Sequence, residues 1–352
     1  MPRLPAEWEP QAAVMLTWPH AGTDWAARLP VIEALYDELA AAIARFEPVL
    51  ICCRDAAHRA AVEARLAAAG VAPERRRLAI AASDDTWARD HGPITVLAEG
   101  GAELVDFRFN GWGGKYPAER DDRITATLHA AGVFGAVPRR AIDLVLEGGA
   151  IESDGQGTLL AMTRTLVDDH RNPARERAAI EAVLAETLGA SRFLWLEHGQ
   201  LSGDDTDGHI DTLARFCAPD TIAYVRCDDP SDPDHAGLAA MERELQAFRR
   251  ADGRPYRLVA LPHPRPVHNA QGERLAAGYA NFLIINGAVL VPVYDDAADE
   301  AALRVIADLF PGRAVVPLDA RPLIEQGGSL HCLTMQLPAA LTLAEAGTPA
   351  QT

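Results

Sequence analysis

The chain has 352 residues, 49% hydrophobic and 24% charged, a globular composition with ample apolar material for a core and too much for whole-chain disorder. Its 50 Asp and Glu against 33 Lys and Arg give a formal net charge of −17. That balance repels phosphate backbones and anionic lipid, so neither nucleic acid nor a membrane is expected as a partner, while a small cation is admitted.

The longest apolar candidate, 279–293, is interrupted by Asn281, Asn286 and Pro292 and falls short of the roughly 18 unbroken apolar residues of a membrane span. The opening MPRLPAEWEPQ has prolines, acids and an amide where a signal peptide needs an apolar stretch. Five cysteines, none in a CxxC spacing, read as free thiols of a reducing compartment. A cytoplasmic protein is expected.

A helix is predicted over 29–46, where apolar residues recur at helical spacing, followed by a short buried strand at 49–53 (VLICC). A second helix, 56–69, closes at Gly70. Strands at 78–82 and 94–98 flank a polar loop, 83–93, and the apolar run 142–146 ends at Glu147. Asn172 and Pro173 start a helix, 173–188, that Gly189 ends. Strands follow at 221–226, 256–260, 282–285 and 288–292. A helix at 297–310 stands behind Asp295 and Asp296, whose charge suits a helix N-terminus. The tail AGTPAQT is expected to fray. Strand, strand, helix, strand recurs roughly every 60–70 residues without a residue-level repeat. No Pro/Gly/Ser-rich linker divides the chain, so one α/β domain, 1–352, is expected. Periodicity leaves a doubly wound sheet and a ring both open.

Four loops carry residues that solubility does not require. In 84–93 (DDTWARDHGP) Trp87 offers an aromatic wall beside Asp90, although an inward-packed Trp in an acidic turn is the plainer reading. In 146–151 (LEGGAI) Glu147 precedes two glycines that permit close backbone approach. In 202–211 (SGDDTDGHID) His209 and Asp211 are two apart, and on a strand they would share a face. A calcium-loop register fails there, because aligning Gly208 with the loop glycine puts Gly203 and Ala214 at ligand positions. In 327–334 (GGSLHCLT) Cys332 follows a double glycine, whereas Cys52, Cys53, Cys217 and Cys227 lie in or beside apolar runs and read as small core residues.

A thiol and an imidazole make a nucleophile and its proton-transfer partner. Several carboxylates would oppose the oxyanion of a cysteine protease but match a guanidinium, which is planar, cationic and suited to paired carboxylates. The residue types point to attack by sulfur on a guanidinium carbon.

The motifs in which these residues lie run along almost the whole chain. They are 4–10 (LPAEWEP), 17–25 (TWPHAGTDW), 87–93 (WARDHGP), 109–117 (FNGWGGKYP), 146–160 (LEGGAIESDGQGTLL), 203–216 (GDDTDGHIDTLARF), 275–296 and 327–334. In them the sequence resembles the agmatine deiminase family, within the guanidino-modifying superfamily of arginine deiminases, peptidylarginine deiminases and amidinotransferases. The resemblance implies a five-bladed, pseudo-symmetric α/β-propeller of ββαβ units, the pentein fold. It implies Cys332 as nucleophile, His209 as acid/base, and Asp90, Glu147 and Asp211 as the acids holding guanidinium and histidine. Trp87 and Asp205 are implied at the substrate. No metal or organic cofactor is implied, the partner is a small cationic guanidino compound such as agmatine, and a homo-oligomer is allowed. The chain departs from the family pattern at Ser329, where a third glycine is usual, at Met335, where Gln is commoner, and in 262–278. Competing readings are a peptidylarginine or free-arginine deiminase, a zinc amidohydrolase using His209, Asp211 and a further histidine such as His198, and a non-catalytic polyamine-binding protein.

Overall fold

The computed structural model describes residues 2–344; the tail expected to fray, 346–352, lies outside the described residues. One arrangement recurs in five sheets: an antiparallel strand pair, then a helix that returns the chain to a parallel neighbour. Parallel neighbours need such a crossover, and a tight turn suffices for the antiparallel pair.

In the first sheet Gln11–Thr17 pairs antiparallel with Thr334–Pro338 and parallel with Val49–Cys53, across the helix Leu29–Ala44. Val49–Cys53 then pairs parallel with Arg76–Ile80 across the helix Ala56–Ala68. In the second, Ile94–Ala98 and Gly101–Arg108 are antiparallel, and Arg139–Val145 joins parallel after the helix Ile124–Ala130. The third has Ile151–Ser153, Thr158–Met162 and Arg192–Leu196 with the helix Arg177–Leu188. The fourth has Ala214–Ala218, Thr221–Val225 and Arg257–Leu261 with the helix His235–Ala247. The fifth has Leu283–Ile285, Ala288–Val293 and Ala314–Asp319 with the helix Asp299–Leu309.

The chain packs as two compact units. One is made of residues 2–4, 9–148 and 332–344 and holds the first two sheets; the other is made of 5–8 and 149–331 and holds the other three. Each has inner strands buried along their length: Val49–Cys53 in the first unit, Thr158–Met162 and Thr221–Val225 in the second. A parallel strand covered on both faces reads as a continuous apolar run, which is why VLICC was legible. Each such Ile or Leu contributes roughly 1.5–3 kcal/mol by leaving water.

The remaining expectations divide by how local their determinants are. The helix 56–69 is observed as Ala56–Ala68, with Asp55 accepting from the His58 amide at its start and Gly70 at φ 79° after its end. The helix 297–310 is observed as Asp299–Leu309, and Asp296 accepts from the Ala298 amide just before it. The helix expected from Pro173 begins only at Arg177. Asn172 does not cap it: its amide donates to the Asp168 carbonyl, and Ala174 sits at φ 59°, outside helical space. The strand expected at 78–82 lies at Arg76–Ile80, in parallel register with Val49–Cys53.

Among the described residues, no helix is long and apolar enough to cross a membrane.

Candidate active site

The first unit holds residues 83–93, 146–148 and 332–334 from three of the four loops. The loop 83–93 is not an open polar turn. Its backbone is held by Asp121, whose buried carboxylate accepts from the amides of Asp84 and Asp85, and it ends in a helical turn, Ala88–His91, that is buried throughout. Burial pushes the Asp85 carboxyl up to about 7, against the Thr86 amide and Trp87 indole that donate to it. Trp87 is buried, lies 5.8 Å from the Trp25 ring, and is oriented by that indole bond to Asp85.

The turn carries Asp90, whose Oδ2 accepts from the Trp112 indole at 2.9 Å. Trp112 belongs to the FNGWGGKYP segment and is held at φ 55° between Phe109 and Tyr116. A bulky residue in left-handed space is uncommon and persists only where its surroundings hold it. Here the conformation coincides with an indole that fixes the Asp90 carboxylate. The motif alone assigns Trp112 no role, and the local signal for it is the flanking Gly111, Gly113 and Gly114.

The Arg89 amide donates to the Cys332 carbonyl at 3.1 Å, which joins the turn to the thiol-bearing residue two positions before the strand Thr334–Pro338. Arg89 is buried, with its guanidinium on Gln336 and near the Met335 sulfur. Glu147 is fully buried, and the next residue explains the glycine there: a Cβ at Gly148 would lie 2.2 Å from the Arg89 carbonyl oxygen and 2.8 Å from Met335 Cε. Gly148→Ala is expected to push the two loops apart, costing about 1–3 kcal/mol as overpacking does. Thermal unfolding measures that loss, and ammonia release should fall with it.

The fourth loop lies in the second unit and is tied by its own side chains. Asp204 accepts from the Thr206 and Gly208 amides, and the Thr206 hydroxyl accepts from the His209 amide. Arg171, buried, donates to Asp168, Asp207 and the Thr206 carbonyl. Asp207 at φ 65° and Gly208 at φ 86° turn the chain, so that His209 is followed by a short turn, Ile210–Thr212, rather than a strand. The shared-face argument for His209 and Asp211 is thereby replaced, although the two charges do interact. Burial pushes the Asp211 carboxyl up, but the His331 hydrogen bond and charge, with His209 and Arg215, outweigh it and hold it below the usual carboxylate range. His209 and Asp211 are fully buried, and Asp205 is exposed.

Several acids of these loops prove to be internal fasteners. Asp84 pairs with Arg120, Asp204 builds its turn, and Asp207 pairs with Arg171. His198, the histidine offered as an example for the zinc reading, is exposed and bonded to Glu244 at 2.6 Å. The four other thiols behave as core groups; burial pushes Cys53 and Cys217 up to about 12.

A chain with these motifs is matched over residues 3–338 by the Porphyromonas-type peptidyl-arginine deiminase family, and it belongs to that family. The agmatine deiminase of Stutzerimonas stutzeri is 36% identical to it over 360 residues, covering 96% of this chain and 95% of that protein. Two solved structures share its fold over nearly their full lengths. A protein from Porphyromonas gingivalis, named provisionally as an arginine deiminase, is 49% identical with a TM-score of 0.89, covering 97% of this chain and 99% of that one. A cysteine-to-serine variant of the agmatine deiminase of C. jejuni, with substrate bound, is 32% identical with a TM-score of 0.89, covering 97% and 98%. An amidinotransferase from Microseira wollei, at 11% identity and a TM-score of 0.54 over 98% of this chain and 99% of that one, shows the mixed α/β fold alone.

Proposed function

We propose that this chain hydrolyses agmatine to N-carbamoylputrescine and ammonia, a step towards putrescine, through a covalent thiouronium on Cys332. One observation carries the reading. The residues assigned chemistry, Cys332, His209, Asp90, Glu147 and Asp211, are each at most 4% exposed, and buried groups of this kind are costly unless they serve a partner.

The Cys332 thiolate adds to the guanidinium carbon. The adduct collapses with loss of one C–N bond, His209 giving the departing nitrogen its proton, and leaves an S-alkylthiouronium. His209 then takes a proton from water, the oxygen adds to the same carbon, the C–S bond breaks and the thiolate returns. Asp90, Glu147 and Asp211 orient the planar cation and offset its charge. Asp205, exposed, is assigned to the substrate's outer end, and Trp87 to its apolar stem.

We read the five sheets as five blades of a pentein propeller and residues 1–352 as one cytoplasmic catalytic domain. The recurrence of hairpin, helix and parallel strand supports the blade reading.

The relatives' names divide between agmatine, free arginine and peptidyl-arginine. What favours agmatine is the agmatine deiminase relatives and the scarcity of cations in the four loops, whose one Arg or Lys, Arg89, is already engaged within the fold. Incubation with agmatine should release ammonia at a rate unchanged by a chelator and abolished by thiol alkylation. Loss of turnover in the chelator, restored by zinc, would support the amidohydrolase reading instead.

A further inference from the structure

Glu7, Glu152, Arg215 and His331 have no part in that chemistry, yet all four are buried in the second unit. Arg215 is fully enclosed. Its guanidinium donates to Glu7 at 2.7 Å, to Glu152, and to the carbonyl oxygens of Ala280 and Phe282 at 3.1 and 2.6 Å, and it lies over the Phe282 ring. Glu7 reaches it from the short segment 5–8, which packs with 149–331 although the residues on either side of it belong to the first unit. The other Glu7 oxygen accepts from the Ile284 amide at 2.6 Å.

The line continues through His331. Its Nε2 lies 2.7 Å from Glu7 Oε2, and its Nδ1 lies 2.7 Å from Asp211 Oδ2. A carboxylate oxygen against each ring nitrogen calls for a proton on each, so the ring acts as a double donor. Arg215, 3.1 Å from Nε2, shares Glu7 with the ring and does not donate to it. The result is a buried row of alternating sign: Asp211, His331, Glu7, Arg215, Glu152. The His331 amide is pinned as well, by the Asn281 side-chain and main-chain oxygens at 2.9 and 3.2 Å, while the Asn281 amide group reaches the Asp211 carbonyl. No apolar core needs such a row, and replacing buried ion pairs by apolar residues of similar volume is often neutral or stabilising.

We propose that His331 is a positioning residue for the reaction: donating from both ring nitrogens, it fixes the Asp211 carboxylate, with Glu7 of the amino-terminal LPAEWEP segment as the anion that holds the ring from behind. The assignment rests on the deiminase reading above. It gives the LPAEWEP motif a task, which is to deliver one carboxylate to the far side of the histidine next to the nucleophile. Arg215 and Glu152 hold that carboxylate in turn. The charged groups facing the ring are Asp211, Glu7 and Arg215, with His209 and Glu152 one group further out.

Two substitutions separate positioning from packing. Asn at 331 carries its amide nitrogen near the place of Nδ1, and Gln near that of Nε2. His331→Asn therefore keeps the donor to Asp211, whereas His331→Gln keeps the donor to Glu7. His331→Asn should retain kcat within about tenfold and His331→Gln should lose on the order of a hundredfold, with KM little changed in both, as misplacing a reacting group does. Glu7→Gln should lower kcat with KM little changed, because the ring loses the oxygen that holds it from behind. Equal kcat in the two His331 variants, or effects confined to the melting temperature with kcat unmoved, overturns the proposal. In the unsubstituted protein, ¹⁵N-labelled histidine should show His331 with protons on both ring nitrogens at neutral pH. A bare ring nitrogen overturns the proposal even if no variant folds. If the protein turns over arginine or peptidyl-arginine rather than agmatine, the same comparison is run on that substrate, so a wrong substrate and a wrong role for His331 are told apart.

Discussion

Cys332→Ala and Cys332→Ser should leave the fold intact and abolish ammonia release, while Cys52→Ala, Cys53→Ala, Cys217→Ala and Cys227→Ala should retain it. The contrast follows from chemistry and place. A thiol is partly ionised near neutral pH and its thiolate is a strong nucleophile, whereas a serine hydroxyl needs a base to remove a proton it holds far more tightly. The loss should be at least about a thousandfold, equivalent to about 4 kcal/mol of transition-state stabilisation. The structural thiols are held away from ionisation by burial, which raises all four. Their replacement costs packing, about 1–3 kcal/mol each, and not turnover. Circular dichroism and melting temperatures separate the two kinds of loss. Appreciable turnover in Cys332→Ser would remove the thiol from the mechanism.

Asp90→Asn, Glu147→Gln and Asp211→Asn should each cut kcat/KM by a factor on the order of 10²–10⁴, because a guanidinium brought into a dry site then lacks a countercharge. The three do not act identically. Asp90 also accepts from the Trp112 indole, so the Asn variant, whose amide can still accept there, should keep its local structure. Asp211 is bonded to His331, and Asp211→Asn should disturb the pH profile most. The same residue contributes to stability. Because its carboxyl is held low in the folded protein, that contribution is present above the ordinary carboxylate range, near pH 4, and is lost as pH falls through its depressed folded value. Acid unfolding of Asp211→Asn should lack this share. If all three amide variants kept near-normal turnover, the carboxylate clamp would be wrong.

What could be read from the residues alone was what short stretches determine. VLICC, bounded by polar residues and wholly apolar, is a buried strand, and Gly70 and Gly189 end helices in left-handed space. The four loops were found because their chemistry exceeds the needs of a surface. What escaped depends on partners far along the chain. Asn172-Pro173 has the form of a helix start, but Asp168 takes the Asn172 amide and Ala174 turns out of helical space. The segment 83–93 looked like an open polar turn because nothing within it shows that Asp121 satisfies its amides. Counting acids overstated the charge at the site, since Asp84, Asp204 and Asp207 are fasteners. Glu7 and Arg215 are 208 residues apart and Asp211 and His331 are 120 apart. No periodicity connects such pairs, and only the folded chain shows them as one row.

The most direct test is kcat/KM for ammonia release from agmatine, free arginine and a peptidyl-arginine measured side by side. Arginine differs from agmatine by one α-carboxylate, which needs a cation that the four loops, with their one Arg, Arg89, engaged, do not supply. Repulsion and desolvation of that carboxylate need amount to only about 3 kcal/mol to separate the two by a hundredfold or more. The account predicts agmatine ahead of both others by at least that factor; values for agmatine and arginine within about tenfold of each other, or a preference for either arginine substrate, would contradict it.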